Sequence, residues 1–454
     1  MHAPPLSTRY IALLGLGFGD CGKGVFTDYL CRRLGAHTVV RFNGGAQAGH
    51  NVVLPDGRHH TFSQWGAGSL AGKVATVLAT PVVVHPHALV YEAAALQAVG
   101  MVQPFARLHI DAHCRVTTPL HQAAGRLREW ARGSAAHGSC GVGVGETVLQ
   151  GLRDPDAALR YGDLVSAPRV RAKLAALREA LQRDADLHHV STSAAQAEWR
   201  VLRDESLAER WLDAIAPVLH GCPPASKEAI AHRLTRPGTV VLEGAQGVLL
   251  DERHGFHPHT TWSSVSTDAV QAVLADLGIT RQAHRLGVLR SYLTRHGAGP
   301  LPTHDEALNV LAEPHNADEG WQGRFRRGHP DAVLLAYAVR AVGTLDGLVA
   351  SHLDVFERTP LLRWCTGYRS THAAPDDGAL LRQLPVGTPG DLTHNAALTQ
   401  LLFNAQPVYD PLPLQSVAQW QSAVEACTGL PVLLGSHGPT HADVRARPQA
   451  ALLE

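Results

Sequence analysis

The sequence is most informative first for what it lacks. It has only seven cysteines, at positions 21, 31, 114, 140, 222, 365 and 427. None forms a C-x-x-C pair or a zinc spacing, so no disulfide framework or structural zinc site is expected. The odd, scattered set reads as reduced thiols of a cytoplasmic protein. Net charge is missing too: Lys+Arg and Asp+Glu each number 40. That removes the bulk field that nucleic acid or a membrane surface would engage. No apolar run approaches the length of a membrane span. The short apolar stretch near the N-terminus is ended by Asp20, too brief for a secretory signal. The 28 histidines do not gather at metal-ligand spacing. Internal repeats, low-complexity tracts and disordered linkers are absent. What remains is 454 residues with 45% hydrophobic content, enough for a sizeable core.

Several apolar runs share one grammar. Tyr10–Leu14 ("YIALL") runs into a glycine-rich loop, and Val25 to Leu34 suits a helix, giving strand, loop, helix. "HTVVRF" (His37–Phe42) reads as the next strand, and "KVATVLATPVVVH" holds two more strand-like runs. "GTVVLEGAQG" (Gly238–Gly247), "HRLGVLRSYLT", "DGLVASHLDVF" and "LPVLLGSHGP" each end in polar or glycine residues. The expected fold class is α/β, a mostly parallel sheet flanked by helices, with ligands beyond the strand ends. Residues from about 150 to 236 are helical in pattern. "PRVRAKLAALREALQRD" places Pro168 in a first turn and Val170, Leu174, Leu177 and Leu181 on one face. A single domain over 1–454 with a helical insertion is expected.

Five segments carry candidate chemistry. In "LGLGFGDCGKGVFTD", Gly17, Gly22 and Lys23 fit the G-x-x-x-x-G-K spacing, whose backbone N–H groups and lysine cradle phosphates. Where a phosphate loop has a metal-binding hydroxyl, this chain has Gly24, and Asp20 sits inside the loop. An ordinary glycine turn is the alternative. Asp20 has three open uses: holding the loop backbone, ligating Mg2+ or accepting a proton. In "NGGAQAGHNV", His50 is either a structural histidine or a general acid opposite Asp20. "LEGAQGVLLDERHGFHPHTTWSS" offers Gln246 as an amide reader, although turn chemistry accounts for its Thr/Ser cluster. "GRFRRGHPD" is either a solvated basic face or a carboxylate-binding arginine loop. Asp354 in "SHLD" has the acceptors to read a guanine edge.

In order and spacing these blocks resemble the adenylosuccinate synthetase family. The family's G-D-E-G-K-G is matched by "GDCGKG", its G-G-x-N-A-G-H by "GGAQAGH", and its E-G-A-Q-G-x-x-L-D-x-x-H-G-x-x-P by "EGAQGVLLDERHGFHP". Its S-T-R-x-G-A-G-P-x-P-T is matched by "LTRHGAGPLPT", its G-R-R-R-R by "GRFRR", its K-L-D by "HLD" and its T-G-P by "SHGP". The resemblance runs almost end to end, thinly over 165–236. It implies a phosphate-loop-NTPase-like fold, a homodimer, Mg2+, and a GTP-dependent ligase of purine biosynthesis. In that reaction, O6 of a 6-oxopurine nucleotide, IMP by default, attacks the γ-phosphate, and L-aspartate then displaces phosphate from C6.

By motif position the resemblance makes Asp20 the base and His50 the acid, with Asp20 and Gly49 on the metal. Gly19, Cys21, Gly22, Lys23, Gly24, Gly49, His50, Asn51, His352, Asp354, Ser436 and Gly438 would take GTP. The acceptor nucleotide would meet Asp20, Gln47, Ser139, Cys140, Gln246, Thr261 and Arg324. L-aspartate would meet Gln322, Arg324 and Arg326. The departures concentrate in the last two groups. Gln47 stands for an Asn, "SCGVG" for T-T-G-R-G with Val142 in place of its Arg, and Trp321 and Gln322 for threonines. Trp262 is inserted beside Thr261, and His352 stands for a guanine-stacking Lys. Arg153 and Arg160 are the candidates for an arginine lent across the dimer. The alternatives are a specialised paralogue with another purine or amino acid, and a non-catalytic GTP-binding regulator.

Overall fold

The architecture was read from a computed structural model that describes residues 9–188, 190, 192–316, 321–358, 362–370, 380–448 and 450. The first eight residues, where the N-terminal stretch begins, lie outside the described residues.

Ten strands form the main sheet: β1 (Arg9–Gly15), β2 (Thr38–Arg41), β3 (Ala75–Leu78), β4 (Leu108–Asp111), β5 (Pro224–Ala225), β6 (Thr239–Gly247), β7 (His284–Arg290), β8 (Gly347–Ser351), β9 (Val432–Ser436) and β10 (Val444–Ala446). Their spatial order is β10-β9-β8-β7-β1-β6-β2-β3-β4-β5. Every pairing is parallel except that of β9 with β10. A parallel sheet is covered on both faces, which is why its strands read as near-continuous apolar runs. In β1 the alternation survives inside the core. Ile11 and Leu13 pack with Phe26, Leu30, Val241 and Val288 on one face. Ala12 and Leu14 pack with Val40, Leu242 and Phe256 on the other. Each buried Leu, Ile, Val or Phe among them contributes roughly 1.5–3 kcal/mol.

Helix α1 (Lys23–Arg33) follows the first loop directly. Between β4 and β6 the chain is mainly helical, with helices at Ala167–Arg183, Ser193–Arg203, Leu207–Gly221 and Lys227–Leu234. Val170, Leu174, Leu177 and Leu181 are the buried face of the first, as their spacing requires. The first three helices share a core with Leu89, Leu120, Leu127 and Tyr161, while Ile230 and Leu234 of the fourth join the core under the main sheet. Outside the main sheet, Leu293–His296 pairs antiparallel with Phe325–Gly328. This ribbon leaves the end of β7 and hangs over the C-terminal edge of the sheet, where the loops after β1, β2 and β6 also emerge.

Candidate active site

Two cavities open beyond the strand ends, one of about 670 Å3 and one of about 280 Å3. They share a wall made by Gly19 and Asp20 from the first loop and Gly49, His50 and Asn51 from the second. Loop packing explains the missing hydroxyl at position 24. A Cβ there would lie 2.3 Å from the Asn51 carbonyl oxygen, so the second loop lies directly on the start of α1 and leaves room only for glycine. Gly22 is fixed for a different reason. Its φ of 89° is left-handed, and a Cβ would come within 2.4 Å of Ser351. Ser351 in turn donates its Oγ–H to the Cys21 carbonyl at 2.9 Å, tying β8 to the loop. Lys23 is buried and donates to the Gly19 carbonyl at 2.7 Å.

His50 is buried between two acceptors. Its Nδ1 lies 2.7 Å from Glu243 Oε1 and its Nε2 lies 3.0 Å from the Ala245 carbonyl. Each ring nitrogen therefore has a place for a proton, as a general acid requires. Burial pulls the His50 pKa below the usual imidazole value, and Arg41 and Lys23 add to that. The Glu243 carboxylate opposes them. The result is an acid disposed to give its proton up. Glu243, fully buried in the middle of β6, also accepts from Thr27 Oγ1 at 3.1 Å and from the Ala67 amide at 3.0 Å.

Asp20 lines both cavities. Its Oδ2 lies 3.5 Å from His296 Nε2 on the antiparallel ribbon. Burial works against its charge, but His296, Arg290 and Lys23 outweigh that and hold its carboxyl below the ordinary range. It is ionised at neutral pH and available as a base or cation ligand.

All twelve residues expected to meet GTP line the smaller cavity. Asp354 there is paired with Arg358 at 2.9 Å. His352 adopts a φ of 58° and its Nδ1–H donates to Ser351 Oγ at 2.9 Å. Its burial, with Arg290 and Arg358 nearby, keeps the imidazole neutral.

Of the acceptor residues, Asp20, Gln47, Ser139, Cys140, Gln246 and Thr261 line the larger cavity. Gln246 is held by Asn43, which donates to its Oε1 at 3.3 Å, and by its own Nε2 donating to the Ser263 carbonyl at 2.9 Å. Both amide atoms of Gln47 are buried without a hydrogen-bond partner. Gln322 also lines this cavity and donates to the Gly138 carbonyl at 3.2 Å. Trp321 packs edge-on to Trp130 at 5.2 Å and covers Gly141.

The arginine loop is arranged otherwise than its motif suggests. Arg324 is 63% exposed, pairs with Glu306 at 3.1 Å and lines neither cavity. Arg326 also lies behind the cavity wall, with its Nη2 on the Gly297 and Gly299 carbonyls. The ribbon's pairing places Arg326 opposite Arg295, and Arg295 is the one that reaches the cavity. Sequence reasoning passed over Arg295, His296, Arg290 and Glu243. For three of them the signal was present: Arg290, Arg295 and His296 stand at or just beyond the C-terminal end of the apolar run of β7, whereas Glu243 lies inside β6.

Among the described residues, no group of three or more His, Cys, Asp or Glu could hold a metal ion. A donor set of one carboxylate and a backbone carbonyl suits a Mg2+ that arrives on phosphates, since that ion keeps water and takes one or two carboxylates. All seven cysteines are free thiols. No helix of the described residues is long and apolar enough to cross a membrane.

Comparison with known proteins agrees with this geometry. The family model described as adenylosuccinate synthetase matches residues 12–444. The adenylosuccinate synthetase of Thioalkalivibrio sulfidiphilus is 35% identical over 367 residues, covering 80% of this chain and 81% of that protein. The fully ligated Plasmodium falciparum enzyme superposes with a TM-score of 0.76 at 21% identity, covering 97% of this chain and all of the other. A cyanophage S-2L succinoaminodeoxyadenylate synthetase, bound to dGMP and dATP, shares the fold with a TM-score of 0.59 at 17% identity, over 98% of this chain and 97% of its own. With its sheet, its paired cavities and a match over nearly its whole length, the chain belongs to the adenylosuccinate synthetase family of GTP-dependent ligases.

Proposed function

We propose that the protein condenses L-aspartate with C6 of a 6-oxopurine nucleotide, IMP in the first instance, through a 6-phosphoryl intermediate. GTP binds in the smaller cavity and the purine in the larger one. The observation that carries this reading is the shared wall: Asp20 and His50 stand where the two cavities meet. Asp20 takes the N1 proton, which makes O6 a nucleophile. His50, steadied by Glu243, donates toward the phosphoryl oxygens as charge builds there. Lys23 and the loop amides hold the phosphates, so the protein supplies positioning and charge rather than covalent help. Asp20 and the Gly49 carbonyl would hold Mg2+, which when bound neutralises phosphate charge. Asp354 reads guanine and Gln246 holds the acceptor base. The working form is a cytoplasmic homodimer in which Arg153 or Arg160 reaches the partner's acceptor.

A second reading, in which the acceptor is another purine, draws on the same end of the cavity. Val142 packs against Val83, Val144 and Val148 instead of presenting a cation. Arg128 lines the cavity but is taken by Glu146 at 2.7 Å and Asp184 at 2.8 Å. A Gln amide, a serine and a thiol replace a threonine-rich phosphate grip. The cyanophage neighbour, bound to dGMP, makes guanine nucleotides worth including among acceptors.

The test is incubation with GTP, Mg2+, L-aspartate and a panel of purine nucleotides, following absorbance of the 6-amino product and phosphate release. Turnover with IMP supports the first reading, and turnover only with another purine the second. Tight GTP binding with no turnover on any acceptor would overturn both in favour of a regulator.

A further inference from the structure

Asp20, the proposed base, stands on a loop that gives its carboxylate little hold. Lys23, the cation of that loop, donates to the Gly19 carbonyl at 2.7 Å. Arg290, buried nearby, is turned to Glu313 and to the Tyr292 hydroxyl. Among the described residues, the one ion-pair partner of Asp20 comes from elsewhere: His296 Nε2 lies 3.5 Å from its Oδ2. Both side chains line the larger cavity. His296 closes the ribbon strand Leu293–His296 and is itself well fixed. It stands across from Phe325, with the ring centroids 4.7 Å apart. Asn316 is a further hydrogen-bond partner of the ring, and its amide can present either a donor or an acceptor. That leaves Nε2 to carry a proton toward Asp20. The motif matched by "LTRHGAGPLPT" leaves position 296 open, so nothing in the resemblance assigns this contact.

The terminal torsion of an aspartate is broad and roughly two-fold, so an unheld carboxylate presents either oxygen over a range of angles. A base must instead hold one lone pair on the proton it removes, and small misplacements there cost rate steeply. We infer that His296 is the positioning residue of the base: its Nε2–H engages Oδ2 of Asp20, sets the plane of the carboxylate and leaves Oδ1 for the N1–H of the purine. The neutral Nε2–H tautomer and the imidazolium both donate from that atom, so the task does not depend on the charge of the ring. Each carboxylate oxygen has two acceptor sites, so the cation role of Asp20 is kept. At 3.5 Å the contact is long for a hydrogen bond, and catalytic contacts of that length tighten when substrate is seated. The inference rests on the reading that Asp20 removes the N1 proton, and adds the residue that aims it.

The variants H296Q, H296N and H296L test it through turnover of the full chain with GTP, Mg2+, L-aspartate and IMP, or whichever purine of the panel turns over. The amide N–H of glutamine reaches about as far as imidazole Nε2, that of asparagine stops short, and leucine keeps the contact with Phe325 without any donor. For H296L and H296N the expected result is a fall in kcat of about tenfold or more, the worth of one charge-assisted hydrogen bond. KM for GTP and for L-aspartate should stay within about threefold. H296Q should keep kcat within about threefold of wild type, and thermal unfolding should place all three variants near the wild type. Should H296L fail to fold, the comparison of H296Q with H296N decides. If His296 serves only to pack on Phe325, the order inverts: H296L keeps its kcat and H296Q is the poorer and less stable protein. That order overturns the inference, as does equal kcat in H296Q and H296N. A rise confined to KM for the acceptor, with kcat kept, would make His296 a substrate contact and overturn it too. Wild-type protein with no turnover on any purine would remove the ligase reading and this inference with it. Wild-type turnover beside unimpaired H296L and H296N would refute the inference alone.

Discussion

Glu243→Gln isolates the contribution of a residue that touches no substrate. The carboxylate has three donors around it: His50 Nδ1 at 2.7 Å, Thr27 Oγ1 at 3.1 Å and the Ala67 amide at 3.0 Å. Glutamine fills the same space but has one acceptor oxygen. The backbone amide of Ala67 can only donate, so the glutamine oxygen must face it, and the new NH2 then faces His50. That forces Nδ1 to act as an acceptor and moves the proton of neutral His50 to Nε2. A doubly protonated ring is no longer supported. A hydrogen bond to a charged group is worth roughly 1.5–3 kcal/mol, and each 1.4 kcal/mol is about tenfold in rate. If that interaction is expressed in phosphoryl transfer, kcat should fall about 10- to 150-fold, with KM for GTP within threefold. Glu243 also raises the His50 pKa against burial. Its loss should therefore lower that pKa and move the alkaline limb of the kcat–pH profile to lower pH. Steady-state phosphate release across pH 6 to 9 measures both, and denaturant unfolding checks that the fold persists. A variant with kcat within twofold of wild type and an unmoved profile would refute the placement of His50 as the acid.

Three other outcomes follow from the same geometry. Gly24→Ser, which would restore the hydroxyl of an ordinary phosphate loop, should abolish GTP binding by calorimetry, because its Cβ would lie 2.3 Å from the Asn51 carbonyl; measurable binding would show that the loops can separate. Asp20→Asn should abolish turnover while leaving GTP affinity within about tenfold, and residual activity near wild type would remove Asp20 from the role of base. Finally, buried His85 and His121 are both pressed down from 6.5 to about 4, chiefly by desolvation. A depressed histidine stabilises the fold above its unfolded pKa, and that contribution is lost as pH falls toward 4. Unfolding free energies from urea titrations should therefore drop between pH 6.5 and 4, by on the order of 1–3 kcal/mol per histidine, and a flat profile would contradict their burial as neutral rings.

The α/β class was legible because parallel strands buried on both faces leave apolar runs that alternation cannot disguise, as in "YIALL" and "GTVVLEGAQG". The lining of the smaller cavity was legible residue by residue, since loops at strand ends gather through spacing that is local in sequence. The larger cavity was not. Its lining is drawn from distant segments, and whether an arginine faces it depends on ribbon register, which a run such as "GRFRR" does not disclose. Arg326 lies on one ribbon strand and Arg324 just before it, yet Arg295 on the partner strand is the one that lines the cavity. Glu243 was hidden for the same reason. A carboxylate inside an apolar run declares its importance only when His50, 193 residues away in sequence, is found against it. The glycine in place of a hydroxyl was visible from the start, but its cause, the Asn51 carbonyl, lies in another loop.

The central claim is that the purine's own O6, freed by Asp20, attacks the γ-phosphate of GTP and leaves with it. It is tested most directly with acceptor labelled with 18O at C6, in the presence of GTP, Mg2+ and L-aspartate. The account predicts that the label appears in the released phosphate, one atom for each product molecule formed. Phosphate free of label, alongside full formation of the 6-amino product, would contradict it.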